Sequence, residues 1–381
     1  MKRQGKRCVG MIVLLLAIWW GALTILQPAL AADALYVAPG GDDNQDCLSS
    51  LNACATINGA LSKSGDVIHV ATGVYTDTGA EVVFIDRNVT LLGGWNEAFA
   101  EQNGLSIIDS EHGRRGVHII YGVSVVIDRF IIRNGWTFDV SGRAGGSGIL
   151  NFGQLTVNHS SINDNAIWAR GAIYNFDTLT LNQSAVNHNF AEGTSGIFNE
   201  GYLILNNSTV SGNRSQDSGG AIYLAGGGLR LNNSTVTDNV ALFSGAGISQ
   251  SASSYSYVRM QNSILAGNKS YLTPNCSGKI TSGGYNLVGD MDGCDFVASD
   301  GDQFVIDAQL EPLSGVPGYH PLPFGSPAVD AGNPAGCADL LGNLLNTDQR
   351  GVSRIRRCDI GAYEYDGSYI ETFLPLIFQR P

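Results

Sequence analysis

Apolar residues recur through the middle of this chain in a fixed order. Val157, Leu181, Leu205, Leu231 and Met260 each stand two residues after another apolar residue: Leu155, Leu179, Leu203, Leu229 and Val258. Three residues on comes a serine (Ser160, Ser184, Ser208, Ser234, Ser263), and eight on an asparagine (Asn165, Asn189, Asn213, Asn239, Asn268). Ile149, Ile173, Ile197, Ile222 and Ile248 keep step upstream. Successive asparagines are 24, 24, 26 and 29 residues apart. A period of this size marks a solenoid. The local Leu-x-Val alternation, set among Gly, Asn and Ser, selects short strands over helices.

Wound coil on coil, such strands form parallel sheets in which equivalent residues stack about 4.8 Å apart. The aliphatic rows become inward stripes that no single coil could bury alone. The expectation is an all-β, right-handed parallel β-helix of about eight coils. The Asn row fits a turn between sheets, because Asn tolerates left-handed backbone and its amide can bond to the Asn above. It reads as structure rather than as a set of ligands. The Ser row reads as small polar residues filling a corner.

The repeat is clearest over residues 149–268 and looser on either side. Residues 82–85, 89–92 and 105–108 read as irregular early coils, and Val125, Ile127 and Ile132 already hold repeat positions. An open coil end exposes backbone and core and needs a cover. A short helix over residues 56–61, with Ile57, Ala60 and Leu61 on one side, is the expected lid. His69 alternates with apolar neighbours, faces out and is given no role. Between Asn134 and Gly148 lies a longer excursion with Trp136, Phe138, Asp139 and Arg143, and long solenoid loops tend to share the binding face.

Residues 1–31 read as a secretory signal peptide: Lys2, Arg3, Lys6 and Arg7, then an apolar run from Met11 to Leu26, then Ala29-Leu30-Ala31 as a cleavage site. The whole chain carries a formal charge of −12. Without the leader, 18 basic residues face 34 acidic ones, a balance of −16. Such acidity argues against nucleic acid and anionic membrane as partners, and no membrane insertion is expected after cleavage. Six cysteines remain in the exported part, an even number suited to an oxidising compartment. Spacing suggests Cys47–Cys54, Cys276–Cys294 and Cys337–Cys358. The domain reading is 1–31 leader, 32–275 β-helix with an N-terminal cap, 276–366 C-terminal coils with a disulfide-containing cap, and 367–381 tail.

The C-terminal region carries more specific words. Gly325-Ser326-Pro327-Ala328-Val329-Asp330-Ala331-Gly332, Thr347-Asp348-Gln349-Arg350-Gly351 and Cys358-Asp359-Ile360-Gly361-Ala362-Tyr363-Glu364 resemble the signature of the choice-of-anchor Q family. Asn275-Cys276-Ser277, Gly284-Tyr285-Asn286-Leu287, Gly65-Asp66-Val67-Ile68 and Leu92-Gly93-Gly94-Trp95 resemble other stretches of that family, so the likeness spans roughly residues 34–366. It implies an exported bacterial β-helix, similar in fold to pectin lyases, and brings no general activity and no catalytic residues. Two departures stand out: residues 314–324 replace an Asn-Gly-Gly-rich stretch, and the only anchor offered is the tail Phe373-Leu374-Pro375-Leu376-Ile377-Phe378. Asp348, Arg350, Asp359 and Glu364 are expected to form a hydrogen-bonded cap over the last coil.

Catalytic chemistry finds little support in the spacing. A polysaccharide lyase needs carboxylates stacked on adjacent coils to hold Ca²⁺, with an Arg or Lys base nearby. The turn position offers only Asp164 and Asp238, with His188 and Gly212 between them, and Arg230 and Arg259 stack with no acidic row beside them. A glycoside hydrolase needs two carboxylates across a cleft, and nothing in the spacing pairs Asp139, Asp177, Glu192, Glu200 and Asp217. Among Asp290, Asp292, Asp295, Asp300 and Asp302, Cys294 and Phe296 break the alternation of a Ca²⁺ loop. No metal site and no cofactor are expected.

One row points to binding. Leu150, Tyr174, Phe198 and Tyr223 follow the inward isoleucines directly, so alternation turns them outward. Tyr174, Phe198 and Tyr223 could then form a strip for sugar rings, or an aromatic ladder beneath a loop. The expectation is a secreted or cell-surface, adhesin-like module that binds a polysaccharide or cell-surface glycan without catalysis. The alternative is a polysaccharide lyase or glycoside hydrolase on the same fold.

Overall fold

The computed structural model describes residues 34–137, 145–194, 196–252, 255–305, 307–355 and 357–367. The leader, Phe138, Asp139 and Arg143 of the central excursion, and the apolar tail lie outside these residues. What is described is a parallel β-helix. A regular coil carries four strands: Ile173–Asn175, Thr178–Asn182, Ala185–Asn187 and Phe190–Ala191. Each pairs in parallel with its equivalent one coil on, as in Ile173 with Ile197, Leu179 with Leu203, Val186 with Val210 and Phe190 with Arg214. We call the four resulting surfaces the short, long, second and narrow faces.

The register keeps the aliphatic rows aligned. On the long face Leu155, Leu179, Leu203, Leu229 and Val258 form one row, and Val157, Leu181, Leu205, Leu231 and Met260 the next. Every one of these side chains is buried. The core is one continuous cluster from Leu35 to Val288. Burying a Leu or Val is worth about 1.5–3 kcal/mol, so each coil gains mainly by lying on the next. The second face has ten strands, from Val74–Tyr75 to Gln303–Phe304. It outruns the eight coils expected because Leu287–Val288 and Gln303–Phe304 continue the stack past the regular repeat.

At the N-terminal end the helix Ile57–Leu61 forms as expected, with Thr56 as its N-cap accepting from the Gly59 N–H. Its buried residues Ile57, Ala60 and Leu61 join the core. Cys47 and Cys54 are paired beside it, and the other two disulfides, Cys276–Cys294 and Cys337–Cys358, lie toward the C-terminus. His69 is half-buried, stacked on Trp95 at 4.7 Å.

The asparagines form columns. In the inner column Asn165, Asn189, Asn213 and Asn239 each donate an amide hydrogen to the Oδ1 of the next coil's Asn, at 2.9–3.0 Å. Asn268 hands on in the same way to Asn275. The same Oδ1 atoms accept backbone N–H bonds, and the Nδ2 atoms also reach carbonyls such as Ile162 and Val186. One side chain thus satisfies several buried backbone groups at a bend where the sheet bonds stop. The Asn residues are not the left-handed ones, as the sequence reading supposed. That conformation falls one residue earlier, at Asp164, His188, Gly212, Asp238 and Gly267. The preceding residue takes the turn so that the Asn side chain can point inward. Asn151, Asn175 and Asn199 make a second column. Asn158, Asn182, Asn206 and Asn232 make a third, half-buried for the most part, on the outside of the long face. Ser160, Ser184, Ser208 and Ser234 stack at the other bend, each backbone N–H donating to the next serine hydroxyl.

The C-terminal segment beyond residue 307 runs back along the outside of the solenoid. Gln349 accepts from the Thr209 hydroxyl at 2.6 Å and donates to the Ser184 carbonyl. Buried His320 bonds the Ser211 hydroxyl at 2.7 Å, and Arg354 reaches Asn207 at 2.9 Å. Tyr363, Ile360, Ala328 and Leu322 pack against the outward-facing Ile264 and Leu287 of the second face. The Asp348, Arg350, Asp359 and Glu364 group is hydrogen-bonded as expected, but it lies against the side of the central coils rather than over the last one. Glu364 pairs with buried Arg354 at 3.1 Å, and Asp348 with Arg350 at 2.8 Å. The physical reason is the outward row Ala185, Thr209, Thr235 and Ile264. It is fully buried, so the segment closes the flank of the solenoid.

Two expectations follow. Asn213→Ala strands backbone groups in the buried column and should cost about 1–3 kcal/mol, whereas Asn206→Ala on the outer column should cost less; urea unfolding of both variants checks the difference. Burial is the main force raising the Asp359 carboxyl to about 7, against the Tyr365 and Asp330 N–H bonds that favour its charge. The folded value lies above the unfolded one, so this group's contribution is complete below about pH 4 and is lost as pH rises toward 7. Opening free energies for residues 357–365, from hydrogen exchange, should fall across that range, and Asp359→Asn should flatten the fall.

Candidate binding surface

On the short face, the residue after each inward isoleucine belongs to one vertical row. Phe84 pairs with His118, His118 with Leu150, Leu150 with Tyr174, Tyr174 with Phe198, and Phe198 with Tyr223. This row points away from the main core, as alternation requires. Leu150, Tyr174 and Phe198 form their own cluster, flanked by Phe152, Phe176, Tyr223 and Ala225. The rings meet in mixed geometries: Tyr174 against Phe176 at 4.0 Å, Tyr174 edge-on to Phe198 at 4.9 Å, and Phe198 stacked with Tyr223 at 5.3 Å.

The row is not a flat, open strip. Tyr174 is 2% and Phe198 7% exposed, and only Tyr223 is half-open. The cause is the loop leading into each coil. A Cβ at Gly145 would fall 2.0 Å from the Tyr174 ring, and one at Gly171 would fall 2.7 Å from the Phe198 backbone nitrogen and 3.2 Å from its Cβ. Gly145 lets its loop fold over the Tyr174 ring, and Gly171, at φ +58°, lets the next loop lie against the root of Phe198. The ladder-beneath-a-loop form therefore describes Tyr174, while Phe198 and Tyr223 keep a surface toward a groove.

That groove, of about 410 Å³, is lined by Ala169, Arg170, Gly193, Thr194, Phe198, Asp217, Ser218, Tyr223 and Ala225. Arg170 lies over Phe198 at 5.1 Å and over Tyr174 at 5.8 Å, a cation–π position. It also donates to the Tyr174 hydroxyl at 3.0 Å, and that hydroxyl donates to Glu200 at 2.6 Å. Burial and the Glu200 carboxylate push the Tyr174 hydroxyl up from its ordinary value, so it stays a donor. Arg170, Tyr174 and Glu200 thereby form a fixed relay behind the groove. Asp217 stands exposed at the rim, with its side chain accepting from the Ser218 N–H at 2.8 Å.

The sequence alone offers the rings and some acids, but not Arg170, Thr194 or Ser218. The structure brings Asp217 into the lining with Phe198 and Tyr223 and ties Glu200 to the Tyr174 hydroxyl behind it, but leaves Asp177 and Glu192 out of the lining. Asp139 lies outside the described residues. For Arg170 and Thr194 the signal is their spacing at the repeat period, and Arg170 bridges Thr194 on the next coil just as the repeat rows do. Arg230 and Arg259 stack on the long face as expected. Among the described residues no group of three or more His, Cys, Asp or Glu side chains could hold a metal ion, and no helix is long and apolar enough to cross a membrane.

No protein-family model matches this chain, and no curated protein does either. What the groove does is therefore argued from its side chains. A half-open aromatic face set beside a guanidinium, a carboxylate and hydroxyls can hold a ring that is apolar on its faces and hydroxylated at its edge. If Arg170 and Tyr174 form one unit, Tyr174→Phe should loosen Arg170 while leaving the fold intact. The check is a thermal melt changed by only a few degrees, together with faster modification of Arg170 by an arginine reagent.

Proposed function

We propose that this chain is an exported cell-surface or secreted protein of the choice-of-anchor Q type, and that it binds glycan as an adhesion module without turning it over. The observation that carries the binding reading is the Phe198–Tyr223 pair bordering a groove with Arg170, Thr194, Asp217 and Ser218. Sugar rings bury their C–H faces on aromatic rings and spend their hydroxyls on planar donors and acceptors at the edge. The wall here is rigid, because it rests on paired strands and on the Arg170–Tyr174–Glu200 relay. Export is supported by the basic-then-apolar start of the sequence and by three disulfides in a chain without its own redox motif. The acidic surface favours neutral polysaccharide over nucleic acid or anionic lipid.

The test is affinity for a panel of neutral oligosaccharides by calorimetry. Tyr223→Ala should weaken the best ligand about 2–10-fold, the range of a single aromatic contact. Unchanged affinity would sink the role given to this groove. New reducing ends or unsaturated uronates released from the same panel, and lost on Asp217→Asn, would replace binding by the enzyme reading.

A further inference from the structure

The bend between the long and second faces carries a row of left-handed, non-glycine residues: Arg129, His159, Gln183, Asn207, Asn233 and Asn262. Asn suits that conformation. Arg does not, so a side chain that could be Asn at no backbone cost is instead a long cation. An outlier of this kind is a reason to look for a function. Over most of the row the C-terminal segment is seated. It meets Gln183 through the Asp348 carbonyl at 2.8 Å, Asn207 through Arg354 at 2.9 Å, and Asn262 through the Asn333 N–H at 2.9 Å. The cover stops before His159 and Arg129. There the track opens into a groove of about 510 Å³ whose lining includes Arg129, His159, Val316, Pro317, Tyr319 and Arg350.

The charged side chains of this groove are engaged, with one exception. His159 Nδ1 faces the Asp128 carboxylate at 2.8 Å and Nε2 faces Gln183 Oε1 at 3.0 Å. Gln183 in turn donates an amide hydrogen to the Asp348 carbonyl. Arg350 is held by Asp348, and lies over Tyr363 at 3.7 Å and Tyr319 at 5.6 Å. The carboxylate of Asp128, the preceding residue, is taken up by His159 and by Gln102 at 3.4 Å. Arg129 alone, half-buried, has no hydrogen bond, ion pair or ring contact from its side chain among the described residues. In a chain with 34 acidic and 22 basic residues, a partly buried guanidinium left without a carboxylate is a place kept for one.

We propose that this groove is a second binding site, distinct from the Phe198–Tyr223 groove, for an acidic saccharide bearing a single carboxylate. Arg129 takes the carboxylate through its two-pronged donor face. Val316, Pro317 and Tyr319 supply an apolar wall against which a sugar ring lies, and the volume suits one or two sugar units. The surrounding negative charge makes a polyanion a poor occupant. A peptide carboxylate shares the anchoring chemistry but lacks the ring that the wall would cover.

The experiment is calorimetric titration of the oxidised chain with glucuronic acid, with glucose and N-acetylglutamate as controls. Glucuronic acid should bind, glucose should bind at least about tenfold more weakly, as the loss of a charge-assisted pair predicts, and N-acetylglutamate should fall between or below. Arg129→Gln should remove the preference of glucuronic acid over glucose with an unchanged thermal melt, Arg129→Lys should restore part of it, and Tyr223→Ala should leave it intact. No binding of glucuronic acid, equal binding of glucose, or a preference that survives Arg129→Gln would each overturn the proposal. N-acetylglutamate binding as well as glucuronic acid would overturn the assignment to a sugar. Loss of the preference in Tyr223→Ala would place the effect in the other groove.

Discussion

Every position in this molecule must be able to sit on a copy of itself. Parallel strands in register place Leu179 on Leu155 and under Leu203, and the same holds for each polar residue. Few side chains tolerate that. Aliphatic groups gain contact from it, asparagine and serine gain a hydrogen bond, and like charges repel. The low proportion of charged residues, 15% of the chain, follows from this rule, and Arg230 over Arg259 is bearable because both point to solvent from the long face. Charge gathers instead in loops and in the C-terminal segment, where no copy lies above or below.

Lateral closure comes from the same rule. A solenoid buries its inward rows by repetition, but its outward rows need another element. The second face answers with the C-terminal segment, which brings Arg354 and Glu364 into a site where both are nearly fully buried. A buried ion pair is costly unless every remaining donor and acceptor is used. Here Arg354 also serves the carbonyls of Gly361 and Asp359, and Glu364 accepts from the backbone of Ile355 and Asp359, so that of this pair only the Arg354 Nε–H lacks a partner among the described residues. The short face answers differently, with glycine-bearing loops of the coils themselves lying over Tyr174 and Phe198.

The repeat was legible because it is written in residue types that only stacking explains. The aliphatic rows, the Asn and Ser columns, the lid at Ile57–Leu61 and the disulfide pairs could all be read from spacing. Where reading stopped, the missing information lay in contacts distant along the chain. The outward row Ala185, Thr209 and Thr235 is small and uncharged, a sign of something lying on top, yet nothing local names residues 318–363 as the cover. Alternation gave the direction of Tyr174 and Phe198 correctly but not their burial, which depends on loops set by Gly145 and Gly171. Nothing in the sequence around Arg129 marks it out, because its distinction lies in the partners its neighbours find and it lacks among the described residues.

The asparagine columns also have a direction. In the inner column each amide gives its hydrogen toward the C-terminal end, from Asn165 through Asn239 to Asn275. In the outer column the sense is reversed, Asn232 giving to Asn206, Asn206 to Asn182 and Asn182 to Asn158. No amide in either rail can turn over alone, because its neighbours would then meet oxygen to oxygen or hydrogen to hydrogen. Orientation is therefore a property of the whole rail rather than of any residue in it. The inner rail is closed at both ends, accepting from the Gly135 N–H at one and giving to the Asp290 carbonyl at the other. Such a chain can grow or shrink only by complete turns, since a fraction of a turn would break two opposed lines of polarity at once.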